Sequence, residues 1–195
     1  MFVSLEGPDG VGKTTQAALL AERLRGAGLE VVQCREPGGT DLGERVRALL
    51  LDRAAVMGDR AEALLFAAAR AEITERVIAP ALERGAWVVC DRFIDSSLVY
   101  QGIARGLGVE AIRDVSLFAT AGTLPDRTLV LHGVDRRDDE PDRIEAAGEG
   151  FHARVAEGFL RLAELDPVRV RLVAATGTES EVADRIWDAL EGLRP

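Results

Sequence analysis

Gly7-Pro8-Asp9-Gly10-Val11-Gly12-Lys13-Thr14 follows an apolar run at residues 2–6 and opens a stretch with Ala17, Leu20, Ala21 and Leu24 at helical spacing. The octapeptide fits G-x-x-x-x-G-K-[ST]. Its glycines let the backbone take φ > 0 and turn its N–H groups onto phosphate oxygens. A lysine at the seventh position supplies a compact charge to β- and γ-phosphates, and the following hydroxyl can ligate Mg²⁺. The helix that starts here adds its positive end. The bare pattern arises by chance in about one chain in a hundred of this length. Here the strand before it, the helix after it and the placement of the chain's only lysine, Lys13, all favour a phosphate loop over an ordinary glycine turn.

Outward from the loop, apolar runs at residues 29–35, 87–90, 127–131 and 168–173 read as further strands. Helical spacing marks residues 42–51, 59–84, 146–165 and 180–193, the second kinked or broken near Pro80. Residues 36–40, EPGGT, read as a loop. Strands separated by helices imply βαβ units, hence an α/β fold with a five-stranded parallel sheet covered on both faces. One P-loop domain over residues 1–195 is expected. The charge-dense stretch 133–143, GVDRRDDEPDR, has no periodicity and taken alone reads as a solvated loop.

Composition narrows the class. The formal net charge of −9 argues against a nucleic-acid surface, so an anionic ligand needs a local positive site. No run approaches a membrane span and no basic-then-apolar leader opens the chain, which makes the cytoplasm the expected location. Cys34 and Cys90 each end an apolar run outside any metal-binding spacing and read as buried structural thiols. Of the 24 lysines and arginines, Lys13 is the only lysine, and asparagine is absent, as a GC-rich coding bias would produce. A GTPase needs an Asn-Lys-x-Asp motif, which this chain cannot contain.

The strand at 87–90 ends in Asp91-Arg92, where ligands of open α/β sheets bind. An Asp there can hold Mg²⁺ or its water shell, and an arginine fork suits a phosphate. Phe66 and Arg70 lie one helical turn apart and could stack a base and bond its carbonyl. Out of context, Phe66 reads as core and Arg70 as a surface ion-pair partner. Ser96, Ser97, Tyr100 and Gln101 follow within two turns of Arg92, either as packing residues or as part of the same site.

Four ordered motifs then coincide: residues 7–15, 35–40 (REPGGT), 65–70 (LFAAAR) and 91–102 (DRFIDSSLVYQG), with Asp142-Arg143-Ile144-Glu145 and Phe151-His152 farther on. Together they resemble bacterial thymidylate kinases almost from end to end. The resemblance implies transfer of the γ-phosphoryl of ATP to dTMP, giving dTDP and ADP for dTTP synthesis, with Mg²⁺ and as a homodimer. It implies that Gly7, Pro8, Asp9, Gly10, Val11, Gly12, Lys13, Thr14 and Thr15 bind ATP, with Thr14 and Asp91 at the metal. Phe66 would stack on thymine, Arg70 would meet its O4, and Ser97 and Gln101 would lie near its polar edge. Tyr100 would crowd the 2′ position, Arg92 and Arg47 would hold the dTMP phosphate, and Glu36 would line that pocket. Asp9 would face the acceptor, and residues 175–177 would form the adenine-side loop.

Three departures accompany the resemblance. Asp9 is followed by Gly10 rather than arginine, which is similar to the branch whose catalytic arginine sits in the lid. The lid, about residues 133–145, is short, and its candidates are Arg136, Arg137 and Arg143. Phe93 also replaces a more usual tyrosine or histidine. A kinase for another nucleotide or nucleoside, or a P-loop module that retains ATP without turnover, are the rival readings.

Overall fold

The computed structural model describes residues 1–133 and 142–193. The lid residues Arg136 and Arg137 therefore lie outside the described residues. Five strands, β1 (Phe2–Glu6), β2 (Val31–Arg35), β3 (Trp87–Asp91), β4 (Arg127–His132) and β5 (Val170–Ala174), form one sheet in the order β2-β3-β1-β4-β5. Every pairing is parallel. β1 is central, and all five of its residues are buried, as a parallel strand covered on both faces requires.

Side chains alternate between two cores. Val3 and Leu5 of β1 face α1 (Lys13–Gly26) and α8 (Glu179–Ala189), packing on Leu20, Leu24, Val182 and Ile186. Phe2 faces the opposite layer, with Ile73 of α3 (Asp59–Ile73) and Val155 and Phe159 of α7 (Glu149–Leu165). α2 (Asp41–Leu51) packs on α3 through Val46, Leu50 and Ala69. α8 starts with a capping box, Thr178 and Glu181 exchanging hydrogen bonds.

Pro80 does not break its helix. α3 runs into a π-helical segment, Thr74–Ile78, and then α4 (Ala79–Glu83). The wider turn absorbs the ring and the missing N–H of a proline in the helix interior. After β3 the chain forms α5 (Ile94–Ser97), a second π-helical segment Leu98–Ala104 and α6 (Val109–Ala119). α6 lies in a stretch whose sequence had not marked it as a helix. Its apolar face is short: Ile112 and Ser116 are its buried residues.

Asp95 anchors this region to the sheet. Fully buried, it accepts two hydrogen bonds from Arg169, at 2.6 and 2.9 Å, and one from the Thr128 hydroxyl at 2.8 Å. Thr128 also shares a 2.9 Å hydrogen bond with Ser4 of β1. The segment that follows Arg92 is thereby tied through side chains to β4, to β1 by way of Thr128, and to Arg169 just before β5.

Candidate active site

The phosphate loop joins β1 to α1. Gly7 has φ 132°, and a Cβ on it would lie 2.3 Å from the Leu131 carbonyl oxygen, so only glycine fits. Gly12, at φ 92°, caps α1 from the left-handed region and has no side chain to take the helix's first N–H groups. Lys13 is buried and donates to the Pro8 carbonyl at 2.5 Å. Burial, and Arg92 nearby, lower its ammonium to about 8 despite Asp9, Asp91 and Glu6. The Thr14 hydroxyl donates to Asp91 Oδ2 at 2.5 Å, which sets two hard oxygen donors side by side at the carboxyl ends of β1 and β3.

Among the described residues, Arg92 is one of two non-glycine residues with positive φ, at 67°. Such a conformation costs about 1–3 kcal/mol and persists only where the surroundings enforce it. Glu6 provides much of that enforcement. It is fully buried, accepts from the Phe93 N–H at 2.7 Å and accepts from the Ser96 hydroxyl at 2.5 Å. The Arg92 N–H itself donates to the Leu5 carbonyl at 2.9 Å. The turn aims the guanidinium across the loop, where Nη1 donates to the Gly7 carbonyl at 3.1 Å and to Ser96 at 3.0 Å. Nη2 pairs with Asp9 and reaches the Tyr100 hydroxyl at 3.3 Å. Tyr100 in turn donates to the other Asp9 oxygen at 2.9 Å. Burial would raise the Asp9 carboxyl, but Arg92 and Lys13 outweigh it and hold it down at about 2.

One cavity of about 450 Å³ opens onto these groups. Asp9, Gly10, Gly12, Lys13, Thr14 and Thr15 form one wall, with Asp91 and Arg92 at its floor. Glu36, Arg47, Phe66, Ser97, Tyr100 and Gln101 form the other. The π-helical segment explains how adjacent Tyr100 and Gln101 both reach it: its wider turns, marked by the Arg105 N–H bonding the Tyr100 carbonyl at 2.9 Å, bring them to one side. Gly7, Pro8 and Val11 shape the loop without lining the cavity.

Arg70 is not a surface residue. It is 1% exposed, with Nε on Glu36 at 2.8 Å, Nη2 on Ser97 at 2.9 Å and Nη1 on Ser116 at 3.2 Å. It stands directly behind two cavity residues rather than in the cavity wall. Burial raises the Glu36 carboxyl to about 7 against the pull of Arg70. Its second oxygen, Oε1, is buried without a partner among the described residues. Arg47 donates to the Pro37 carbonyl at 2.9 Å. Arg143 is tied to the Leu50 carbonyl at 2.8 Å and to Glu62 at 2.7 Å, and it does not line the cavity. Neither do residues 175–177, where the Thr176 carbonyl accepts from Arg185.

Cys90 is buried and Cys34 only half-buried, because β2 is an edge strand; the two are register partners and both are free thiols. No cluster of three or more metal-ligating His, Cys, Asp or Glu occurs among the described residues. No helix among them is long and apolar enough to cross a membrane. Sequence reading had not singled out Glu6, Glu62 or Asp95, each a buried carboxylate whose partners lie far away in the chain.

The chain's sequence matches the family model described as thymidylate kinase over residues 5–186. It is 51% identical to a thymidylate kinase of Rhizorhabdus wittichii, covering 100% of this chain and 98% of the relative. A thymidylate kinase of Deinococcus radiodurans is 47% identical, with 97% and 96% covered. The crystal structure of thymidylate kinase from Ehrlichia chaffeensis superposes with a TM-score of 0.83 at 35% identity, covering 98% of both chains. Sequence, family model and superposed fold agree over nearly the full length, and the chain belongs to the thymidylate kinase family.

Proposed function

We propose that this enzyme transfers the γ-phosphoryl group of ATP to dTMP, giving dTDP and ADP on the route to dTTP, with the donor on the phosphate loop and the acceptor in the adjoining cavity. The observation that carries this reading is the position of Arg92. Locked by Asp9, Ser96 and Tyr100, it lines the same cavity as Lys13 and Thr14 of the phosphate loop and as Phe66 and Gln101.

Phosphoryl transfer asks a protein to hold two anions in line and to neutralise the charge that spreads in the transition state. Lys13 and the loop amides serve the donor. Arg92 and Arg47 bind the acceptor phosphate, and Arg92 meets it already oriented, which is where electrostatic stabilisation gains most. Phe66 stacks the base, with Ser97 and Gln101 at its polar edge and Arg70 behind them. Glu36 lines the acceptor pocket, and its unpartnered Oε1 suits a substrate hydroxyl. Asp9 and Tyr100 wall off the sugar. Arg143 is committed to Glu62, so we assign the charge on the transferring phosphoryl to the lid arginines Arg136 and Arg137. An acceptor phosphate is already ionised, so no general base is required.

Thr14 and Asp91 fit Mg²⁺: both residues line the cavity, their oxygens side by side, and a metal shared with phosphates and water needs no larger protein cage. Bound there, Mg²⁺ would neutralise the donor's phosphates. We also assign the enzyme to the cytoplasm and infer a homodimer. Leu64 on α3 and Phe118 on α6, 59% and 91% exposed, provide an apolar surface on neighbouring helices.

Replacing Arg92 tests the reading. Arg92→Ala is expected to lower kcat/KM for dTMP by about 10²-fold or more, and Arg92→Lys to recover only part of it, since an ammonium lacks the fork. Near-wild-type turnover in Arg92→Ala would overturn the assignment.

A further inference from the structure

Glu62 is 1% exposed in α3, one helical turn before Phe66, and it takes no part in the mechanism above. Four donor contacts converge on its carboxylate. Oε1 accepts from Gln101 Nε2 at 3.0 Å and from Arg105 Nε at 3.2 Å. Oε2 accepts from Arg105 Nη2 at 3.1 Å and from Arg143 Nη2 at 2.7 Å. Its partners are themselves fixed: Arg143 by the Leu50 carbonyl, and Arg105 by lying 4.6 Å over the Phe151 ring. Burial would raise the Glu62 carboxyl, yet the hydrogen bonds from Gln101, Arg105 and Arg143 carry the net shift downward, so it is ionised.

An ionised carboxylate can only accept hydrogen bonds. The end of the Gln101 amide that faces Glu62 must therefore be the NH₂ end. The carbonyl end, Oε1, accepts from none of the described residues and is left for the cavity that Gln101 lines. An acceptor held there suits a pyrimidine whose N3 carries a hydrogen, as in a thymine or uracil ring. It opposes a cytosine ring, whose N3 presents a lone pair.

We propose that Glu62 is a positioning residue for base selection, fixing the Gln101 amide so that the site demands an N–H at position 3 of the pyrimidine. This rests on the reading that Gln101 faces the base of the acceptor. Without Glu62's charge the amide is free to turn over, and the site loses its preference between an imide and an amidine edge while its phosphate groups stay in place.

The test compares dTMP with 5-methyl-dCMP, which differs only at the base's polar edge, in wild type, Glu62→Gln, Gln101→Leu and the exchanged pair E62Q/Q101E. In Glu62→Gln the ratio of kcat/KM for dTMP over 5-methyl-dCMP is expected to fall about 10-fold or more. The change should sit mainly in the nucleotide KM, with the KM for ATP unchanged. The exchanged pair places a carboxylate toward the base and an amide behind it, so it should regain most of the discrimination. A Gln101→Leu enzyme with wild-type KM for dTMP would overturn the base-pocket reading and this inference together. A large effect there, combined with an unchanged ratio in Glu62→Gln, would overturn the inference alone. Should Glu62→Gln fail to fold, the exchanged pair decides: recovered discrimination supports the role of Glu62, and lost discrimination contradicts it.

Discussion

Arg92 shows how much a single residue's conformation can organise. A glycine would occupy φ 67° without strain, but a glycine has no guanidinium. The backbone therefore accepts a left-handed arginine and holds it with the Glu6, Leu5 and Asp9 contacts. Tyr100 completes the arrangement, its hydroxyl 2.9 Å from Asp9 and its ring 5.2 Å from the Arg92 guanidinium. Because Tyr100 stands at the sugar wall of the proposed pocket, Tyr100→Ala should chiefly relax discrimination against a ribose 2′-hydroxyl. The selectivity for dTMP over its ribonucleotide counterpart, measured as a ratio of kcat/KM, is expected to fall by about 10-fold. An unchanged ratio would remove Tyr100 from that role. The motif residues at this scale were legible because they lie in short, ordered stretches around glycines and strand ends. Glu6, Glu62 and Asp95 were not. A carboxylate in an apolar run announces nothing until its partners arrive, and those partners are Ser96, Arg143 and Arg169.

Among the elements, strands were the most readable, since buried parallel strands are continuous apolar runs bounded by turns. The observed β1 has the expected bounds, and β5 begins two residues later than the apolar run suggested. The π-helical segments were not readable, because an i→i+5 bond leaves no periodic signature over one or two turns. The burial of Arg70 was equally hidden: it lies one helical turn from Phe66, yet it is sealed behind the cavity by Glu36 and Ser97. The junction of β1, the phosphate loop and the Arg92 turn depends on Glu6. Burial, with a smaller push from Asp95, raises its carboxyl to about 7 against Ser96, Arg92 and the Phe93 N–H. The folded state then holds a proton that the unfolded state, with an ordinary carboxyl at about 4.5, has released. Its contribution to stability is fully present below about pH 4.5 and is lost as pH rises to about 7. Denaturation midpoints in urea across that window should decline less steeply in Glu6→Gln than in wild type. Parallel slopes in the two proteins would contradict the assignment.

On the scale of the molecule, the sheet order β2-β3-β1-β4-β5 sets the phosphate loop of β1 beside the Asp91-Arg92 end of β3. In the proposed function two nucleotides share this wall, with Lys13 and Thr14 assigned to the donor and Asp9 to the acceptor. An acidic protein, at −9, nonetheless brings Lys13, Arg35, Arg47 and Arg92 to one cavity, the local positive groups that anionic ligands need. The exposed Phe118 and Leu64 meet the opposite requirement, an apolar surface that we assign to a second copy in the proposed homodimer. Phe118→Asp should shift sedimentation toward the monomer at micromolar concentration, and a wild-type protein that is monomeric throughout would refute the homodimer. The most direct measurement of the central claim is a coupled assay of ADP release with ATP and Mg²⁺, run across dTMP, dUMP, dGMP and thymidine as acceptors. Rapid release is expected with dTMP, weaker release with dUMP, and background release with dGMP, thymidine or no acceptor. Release that is indifferent to dTMP, or that favours dGMP or thymidine, would contradict that claim.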